Sequence, residues 1–388
     1  MPAIYHRPKI AADMCRQLLH PGVLDEGLRS GLFLSGLRRT GKTTFLLNDL
    51  IPALEEAGAL VIYVDLWSDI GASPTALVQD AIRKTLSELE TPGSAVLKKL
   101  LRVASAEVEA YGFKFGFDLD KLGTENGVTL AQAFTELVDQ AKTDVVVIID
   151  EVQQVLSADD GAAMMLALKA ARDAINARPG TPGHFLFIGT GSHRALVKEL
   201  TTRRNQAFAG ATSVDYPVLN GDFVEHVLGR LRHEGMRAVP SVGAAVEVFE
   251  KLGSRPEEFL KALRILQAEL PEGSEPDSHF KVIAGTIRAT AAELELLRLE
   301  RIGLLAPTIF DRIAAADDGA RGVFSADAAA EYSRVLGREV RLDEVQSIVN
   351  EMVEANLIMR RGHGIYLVAD PFVRASWLEQ KRLAPKTY

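Results

Sequence analysis

The sequence predicts an α/β protein: a parallel sheet flanked by helices, followed by an α-helical lid and a winged helix-turn-helix region. Three observations predict it. A glycine-framed loop, Gly36-Leu37-Arg38-Arg39-Thr40-Gly41-Lys42-Thr43, lies between a short apolar run and a helix-compatible run. Five consecutive β-branched residues, Val145 through Ile149, run straight into two acids, Asp150 and Glu151. Beyond about residue 220 the strand patterns give way to helical periodicity.

The elements follow in order. Residues 1 to about 30 read as helical and partly exposed; Arg7 and Pro8 could cover a ligand held by the glycine loop, but a surface arginine is the preferred reading. Leu32-Phe33-Leu34 suits a buried strand, and the helix after the glycine loop resumes at Thr44. Leu60–Leu66 is a second buried strand, with Asp65 at its carboxyl end, where open α/β sheets place ligands or simply cap a loop. Ser73 or Thr75 caps the next helix, to about Glu90. Residues 95 to 110 are helical in pattern. Tyr111–Leu119 alternates aromatic and small or polar residues with period two, and reads as a hairpin-like insertion that either packs as a small strand against the sheet or forms a partner surface. An amphipathic helix spans Thr129 to Lys142, and the β-branched run after Asp144 is a central parallel strand. A helix from about Gly161 ends at Pro179-Gly180. His184–Ser192 is another buried strand, and Val214–Leu219 a short last one.

Helices follow over Asp222–Glu234, Val242–Leu252 and from Pro256, whose fixed φ suits a first turn. A long helix covers about 279–301. Helices near 304–316, 325–336 and 342–357, then two short strands around Gly362-His363-Gly364, give the winged-helix order. The predicted domains are 1–220, 221–301 and 302–388.

The glycine loop matches G-x-x-x-x-G-K-T, the phosphate-binding loop of P-loop NTPases, in the strand–loop–helix context the motif requires. Gly36 and Gly41 let backbone N–H groups turn inward as an anion nest, and the following helix adds its positive end. Lys42 supplies a charge for the outer phosphates, and Thr43 a hydroxyl for Mg2+. Gly36 through Thr44 is therefore the candidate binding segment. Asp150 is the second Mg2+ contact, and Glu151 a general base for the attacking water. Ser192, ahead of Thr190, is placed to feel the terminal phosphate; either residue can instead cap a helix. Arg203 and Arg204 are either an arginine pair acting on a neighbouring subunit's site or a solvated loop. Arg255 is either a nucleotide contact from the lid or a surface cap.

The chain has 388 residues, 47% hydrophobic and 25% charged, the make-up of a water-soluble protein. No apolar run approaches the ~20 residues of a membrane span. The start of the chain lacks a secretory pattern. Cys15 is the only cysteine, so no internal disulfide can form and a cytoplasmic setting is expected. A net charge of −8 argues against a surface that coats itself in nucleic acid.

Gly36–Thr43 and Ile149-Asp150-Glu151, with Gly189–Ser192 and Gly253–Pro256, resemble the AAA+ ATPases. The likeness is greatest to the STAND or archaeal-type branch, in which a winged helix follows the lid. It spans roughly residues 25 to 375. The resemblance implies ATP and Mg2+ as ligands, with Lys42, Thr43, Asp150 and Glu151 in the central roles. It implies Ser192 as first sensor, and Arg255 beside Pro256 as the lid's nucleotide contact. Arg203-Arg204 fits an arginine finger only loosely, and no repeat array follows the winged helix. ATP rather than GTP follows from this likeness and from the lack of an Asn-Lys-x-Asp guanine motif.

Beside a scaffold whose bound nucleotide is never hydrolysed, which the intact Asp150-Glu151 pair disfavours, two function classes emerge. One is an ATP-hydrolysing switch that couples nucleotide state to a protein partner or to self-association. The other is an ATP-dependent DNA-binding regulator or loader. The expected recognition helix, 342–357, carries Asp343, Glu344, Glu351 and Glu354 and no lysine or arginine, a poor face for phosphate. Arg360, Arg361 and His363 on the wing are the remaining candidate DNA contacts, so the protein partner is preferred.

Overall fold

The structure is a computed structural model that describes residues 4–69, 71–103, 113–123, 127–156, 158–317, 319–362 and 364–383. The chain divides into two compact units, residues 1–217 and 218–388.

The first unit is built on five parallel strands: β1 (Leu32–Ser35), β2 (Leu60–Asp65), β3 (Val145–Asp150), β4 (Phe185–Gly191) and β5 (Thr212–Asp215). Their order is β2-β3-β4-β1-β5. Strand β3 shows why the sequence is apolar without interruption. Val145, Val147 and Ile149 face one hydrophobic cluster while Val146 and Ile148 face another on the opposite side. Helices cover both faces, so no position along the strand meets water. Each such side chain contributes about 1.5–3 kcal/mol of burial.

The helices have local reasons. Ser73 caps Pro74–Glu90, its hydroxyl accepting from the Ala76 N–H at 3.2 Å. Thr129 and Gln132 close a capping box on Leu130–Ala141. The helix after the glycine loop starts at Lys42, passes through a π-helical turn at Leu46–Leu50 and continues as Ile51–Glu56.

Three sequence expectations change. Strand β5 ends at Asp215 rather than Leu219. The Tyr216 N–H still bonds to Ser35 O at 2.7 Å, but Pro217 has no N–H to extend the ladder. The aromatic stretch is not a hairpin over its described residues: Phe113, Phe115 and Phe117 pack as a ladder of rings with centroids 6.3 and 5.5 Å apart. Tyr111 and Gly112 lie outside the described residues. Arg7 is buried, not exposed. It lies 4.6 Å from the centroid of Phe45 and 4.9 Å from that of Tyr216, and donates to Pro217 O and the Tyr216 hydroxyl. Of its two expected readings, Asp65 takes the loop cap, accepting from the Trp67 N–H at 2.8 Å.

The second unit begins with helices Gly221–His233, Val242–Lys251, Pro256–Glu269 and Pro276–Ile302. Phe223, Phe249, Phe259 and Phe280 join them in a line of ring contacts with centroids 5.2–5.7 Å apart. A second cluster holds Leu305–Ala315, Ala326–Leu336 and Leu342–Glu354 against a three-stranded antiparallel sheet. That sheet has the order β6 (Ala320–Arg321), β8 (Ile365–Val368), β7 (Ile358–Gly362). Neither β6 nor the closing helix Pro371–Leu383 was expected. His363 lies outside the described residues. Among the described residues, no helix is long and apolar enough to cross a membrane.

Candidate functional site

The site is assembled at the carboxyl ends of β1, β3 and β4. The glycine loop leaves β1 with the Gly36 N–H bonded to Gly191 O at 3.2 Å. Arg39 and Gly41 take positive φ, 63° and 89°, which swings the backbone round ahead of the helix. A Cβ on Gly36 would stand 3.1 Å from Tyr216 Cβ and 3.6 Å from Lys42 Cδ, so only glycine fits without displacement. The Thr40 hydroxyl closes the turn on Leu37 O at 2.8 Å, and the Tyr216 hydroxyl ties Gly41 O at 3.0 Å.

Lys42 is buried, and its ammonium donates to Gly36 O at 2.9 Å and Leu37 O at 2.8 Å. Burial pulls its pKa below the usual lysine value. Glu151 and Asp150 act the other way, while Arg194 and Arg38 add to the lowering. The ammonium is thus partly desolvated and bonded to its own loop's carbonyls.

Asp150 is 1% exposed and fully ringed by donors. Thr43 donates to its Oδ2 at 2.6 Å and Tyr63 to the same oxygen at 3.3 Å. Thr190 and the Glu151 N–H, at 3.0 Å, donate to Oδ1. Burial and the neighbouring Asp150 raise the Tyr63 pKa far above the ordinary phenol value, so the hydroxyl keeps its proton. Burial likewise raises Asp65, against the opposing Trp67 N–H.

Glu151 has φ of 55°, in the left-handed region. Its Oε2 accepts from the Ser192 N–H at 3.2 Å, the Ser192 hydroxyl at 2.8 Å and the Gln153 amide. Ser192 in turn accepts from Arg38 Nε at 3.3 Å.

Gly36, Lys42, Thr43, Asp150, Glu151, Thr190 and Ser192 therefore converge. Leu37, Arg38, Arg39 and Thr40 complete the loop, and Thr44 is exposed on the helix's first turn. Arg203 and Arg204 are exposed at the end of Arg194–Thr202, and Arg203 pairs with Glu199 at 2.6 Å. Arg255 belongs to the second unit. Its guanidinium pairs with Asp370 and lies 5.1 Å from the Phe372 ring centroid, while Pro256 opens the following helix. Tyr63, Gln153 and Arg194 were not singled out from the sequence. Arg194 reaches Asp215 at 3.7 Å and lies near enough to act on Lys42. Only Tyr63 carried a sequence signal, an aromatic hydroxyl on the strand that neighbours the acid pair.

A parallel sheet with a glycine loop after β1 and a donor-ringed acid at the end of β3 is a P-loop NTPase-like arrangement. Residues 26–197 match the family described as an AAA domain. Among solved structures the chain is similar to the Walker-type ATPase PABY2304 of Pyrococcus abyssi. They share 18% identity, with 96% of each chain covered and a TM-score of 0.58. It is also similar to the ADP form of the Aeropyrum pernix ORC2 protein, at 13% identity, 99% and 96% coverage and a TM-score of 0.55. The ADPNP–ADP complexes of that ORC2 protein match at 12% identity and a TM-score of 0.51, with the same coverage. At these identities the likeness is one of fold. No curated protein matches the chain.

Proposed function

We propose that the protein is an ATP-binding, Mg2+-dependent ATP-hydrolysing switch whose nucleotide state is passed to a protein partner or to another copy of itself. The observation that carries this reading is the Thr43–Asp150 contact of 2.6 Å beside the buried Lys42, with Glu151 next to it. The residues fit a hydrated Mg2+, which Thr43 and Asp150 would hold. The Asp150 carboxylate and the Thr43 hydroxyl lie together, and hydroxyl donors already gather on that carboxylate. Bound there, Mg2+ would neutralise charge on the outer phosphate oxygens.

The chain's own residues supply the rest. The loop N–H groups and the helix start take the phosphate oxygens. Lys42 exchanges its two carbonyl partners for phosphate, a stronger charge-assisted bond. Thr190, Tyr63 and the Glu151 N–H hold Asp150 still. Glu151 accepts a proton from the attacking water once it leaves Ser192 and Gln153. Ser192 then lies free to donate to the terminal phosphate or the water. A reducing cytoplasm suits the buried thiol of Cys15.

In the second unit we read the helices over 221–301 as the lid and 302–388 as a winged helix. The order helix–strand–helix–helix–strand–strand supports that reading. On the DNA-binding alternative, Leu342–Glu354 is the groove helix. Its entry arginines, Arg338 and Arg341, are already paired with Glu344 and Asp343. A protein partner is therefore favoured, and DNA binding is tested by duplex titration of the full chain at low salt.

The deciding experiment is Glu151→Gln. Nucleotide affinity should persist while turnover drops about 100-fold or more, the usual scale for removing a general base. Unchanged turnover removes Glu151 from the role.

A further inference from the structure

Arg38 occupies an unusual place in the cradle. It is a loop residue with an exposed side chain, yet its guanidinium is held at two points. The group lies 4.6 Å from the ring centroid of Trp67, just beyond the carboxyl end of β2, and its Nε donates to Ser192 Oγ at 3.3 Å. The Ser192 hydroxyl has one proton, which it gives to Glu151 Oε2 at 2.8 Å. The polar chain therefore has a direction, from Arg38 to Ser192 to Glu151. A cation at its head strengthens each bond along it. At the far end Glu151 is also held by the Gln153 amide, whose Oε1 is buried without a partner. The clamp keeps Glu151 at a φ of 55°, which a glutamate rarely adopts. Arg38 is also near enough to Lys42 to disfavour a second positive charge there.

We propose that Arg38 reads the terminal phosphate of a bound nucleoside triphosphate, and that its departure from Ser192 loosens the clamp on Glu151. The proposal rests on the nucleotide reading given above and deepens it. Both present partners of Arg38 are neutral: a hydroxyl and an exposed indole. A terminal phosphate offers charged oxygens and planar two-point recognition, for which a guanidinium is built. A diphosphate ends one group earlier and leaves Arg38 on its perch. The same side chain thus separates triphosphate from diphosphate and frees the base only for the former.

Trp67 provides the readout, because it is one of only two tryptophans. Its emission is the difference between the native protein and Trp67→Phe. ADP and a non-hydrolysable ATP analogue are titrated with Mg2+, with binding followed in parallel by calorimetry. The analogue should change Trp67 emission and ADP should not. Arg38→Ala, at an exposed position, should lose that change. It should also lower the preference for the analogue over ADP by about tenfold, the scale of one charge-assisted contact. Equal emission changes with both nucleotides, or an unaltered preference in Arg38→Ala, overturns the proposal while leaving the nucleotide site intact. Absence of calorimetric binding to either nucleotide overturns both.

Discussion

Replacing Lys42 with Met separates fold from function more sharply than any other change, because the two consequences differ in size. Methionine keeps the apolar stem and removes a buried ammonium. The protein loses two bonds, to Gly36 O and Leu37 O. Charged bonds of this kind contribute about 1.5–3 kcal/mol each. It also sheds the cost of desolvating a charge, which is several kcal/mol. The two nearly cancel, so unliganded stability should move by no more than about 2 kcal/mol. Nucleotide binding has no such offset. A charge pair about 4 Å apart at a partly buried site is worth about 4 kcal/mol. Affinity for ADP should therefore fall roughly 100- to 1,000-fold. Thermal melts without nucleotide and calorimetric titration with ADP measure the two effects. A variant that unfolds, or that binds ADP as the native protein does, would refute this reasoning. A pH signature accompanies it. Burial lowers the Lys42 pKa, so below 10.5 and above its folded value the unfolded chain holds the proton more tightly. Native stability gains a rising contribution with pH across that window, so the stability of the native protein relative to Lys42→Met should rise with pH there.

Two further variants probe the surroundings. Tyr63→Phe removes one donor from Asp150 Oδ2 but leaves Thr43 in place, so folding should weaken by about 1 kcal/mol at most. The Mg2+ concentration needed for half-maximal turnover should rise several-fold, and an unchanged Mg2+ titration would exclude Tyr63 from organising the acid. Gly36→Ala forces a Cβ to within 3.1 Å of Tyr216 Cβ, costing about 1–3 kcal/mol in the melt. Nucleotide affinity should fall with it, because the loop must shift; full affinity in that variant would show the cradle to be slacker than it looks.

The parts legible in the sequence are those in which one segment carries its own constraint. The loop from Gly36 to Thr43 needs glycines where the backbone turns, and spacing alone reveals it. Strand β3 betrays its double-sided burial through five adjacent β-branched residues. What escaped notice depends on segments far apart in sequence. Tyr63 meets Asp150 because β2 and β3 are neighbours in register. Gln153 and Ser192 meet on Glu151, and Trp67 lies under Arg38, only after the strands are ordered. Arg7 looked exposed because its aromatic partners, Phe45 and Tyr216, lie 38 and 209 residues away. The alternation around Phe113 mimicked a strand, but rings packing on helices satisfy the same period. The end of β5 was misplaced because apolar residues continue past Pro217, where hydrogen bonding cannot.

The most direct test of the central claim is a crystal structure of the full chain with Mg2+ and a non-hydrolysable ATP analogue. The phosphates are expected in the loop over Gly36–Thr43, with Lys42 Nζ on the outer phosphates and the metal held by Thr43 and Asp150. An analogue bound elsewhere, or a loop still closed by Lys42 on its own carbonyls at saturating ligand, would contradict it.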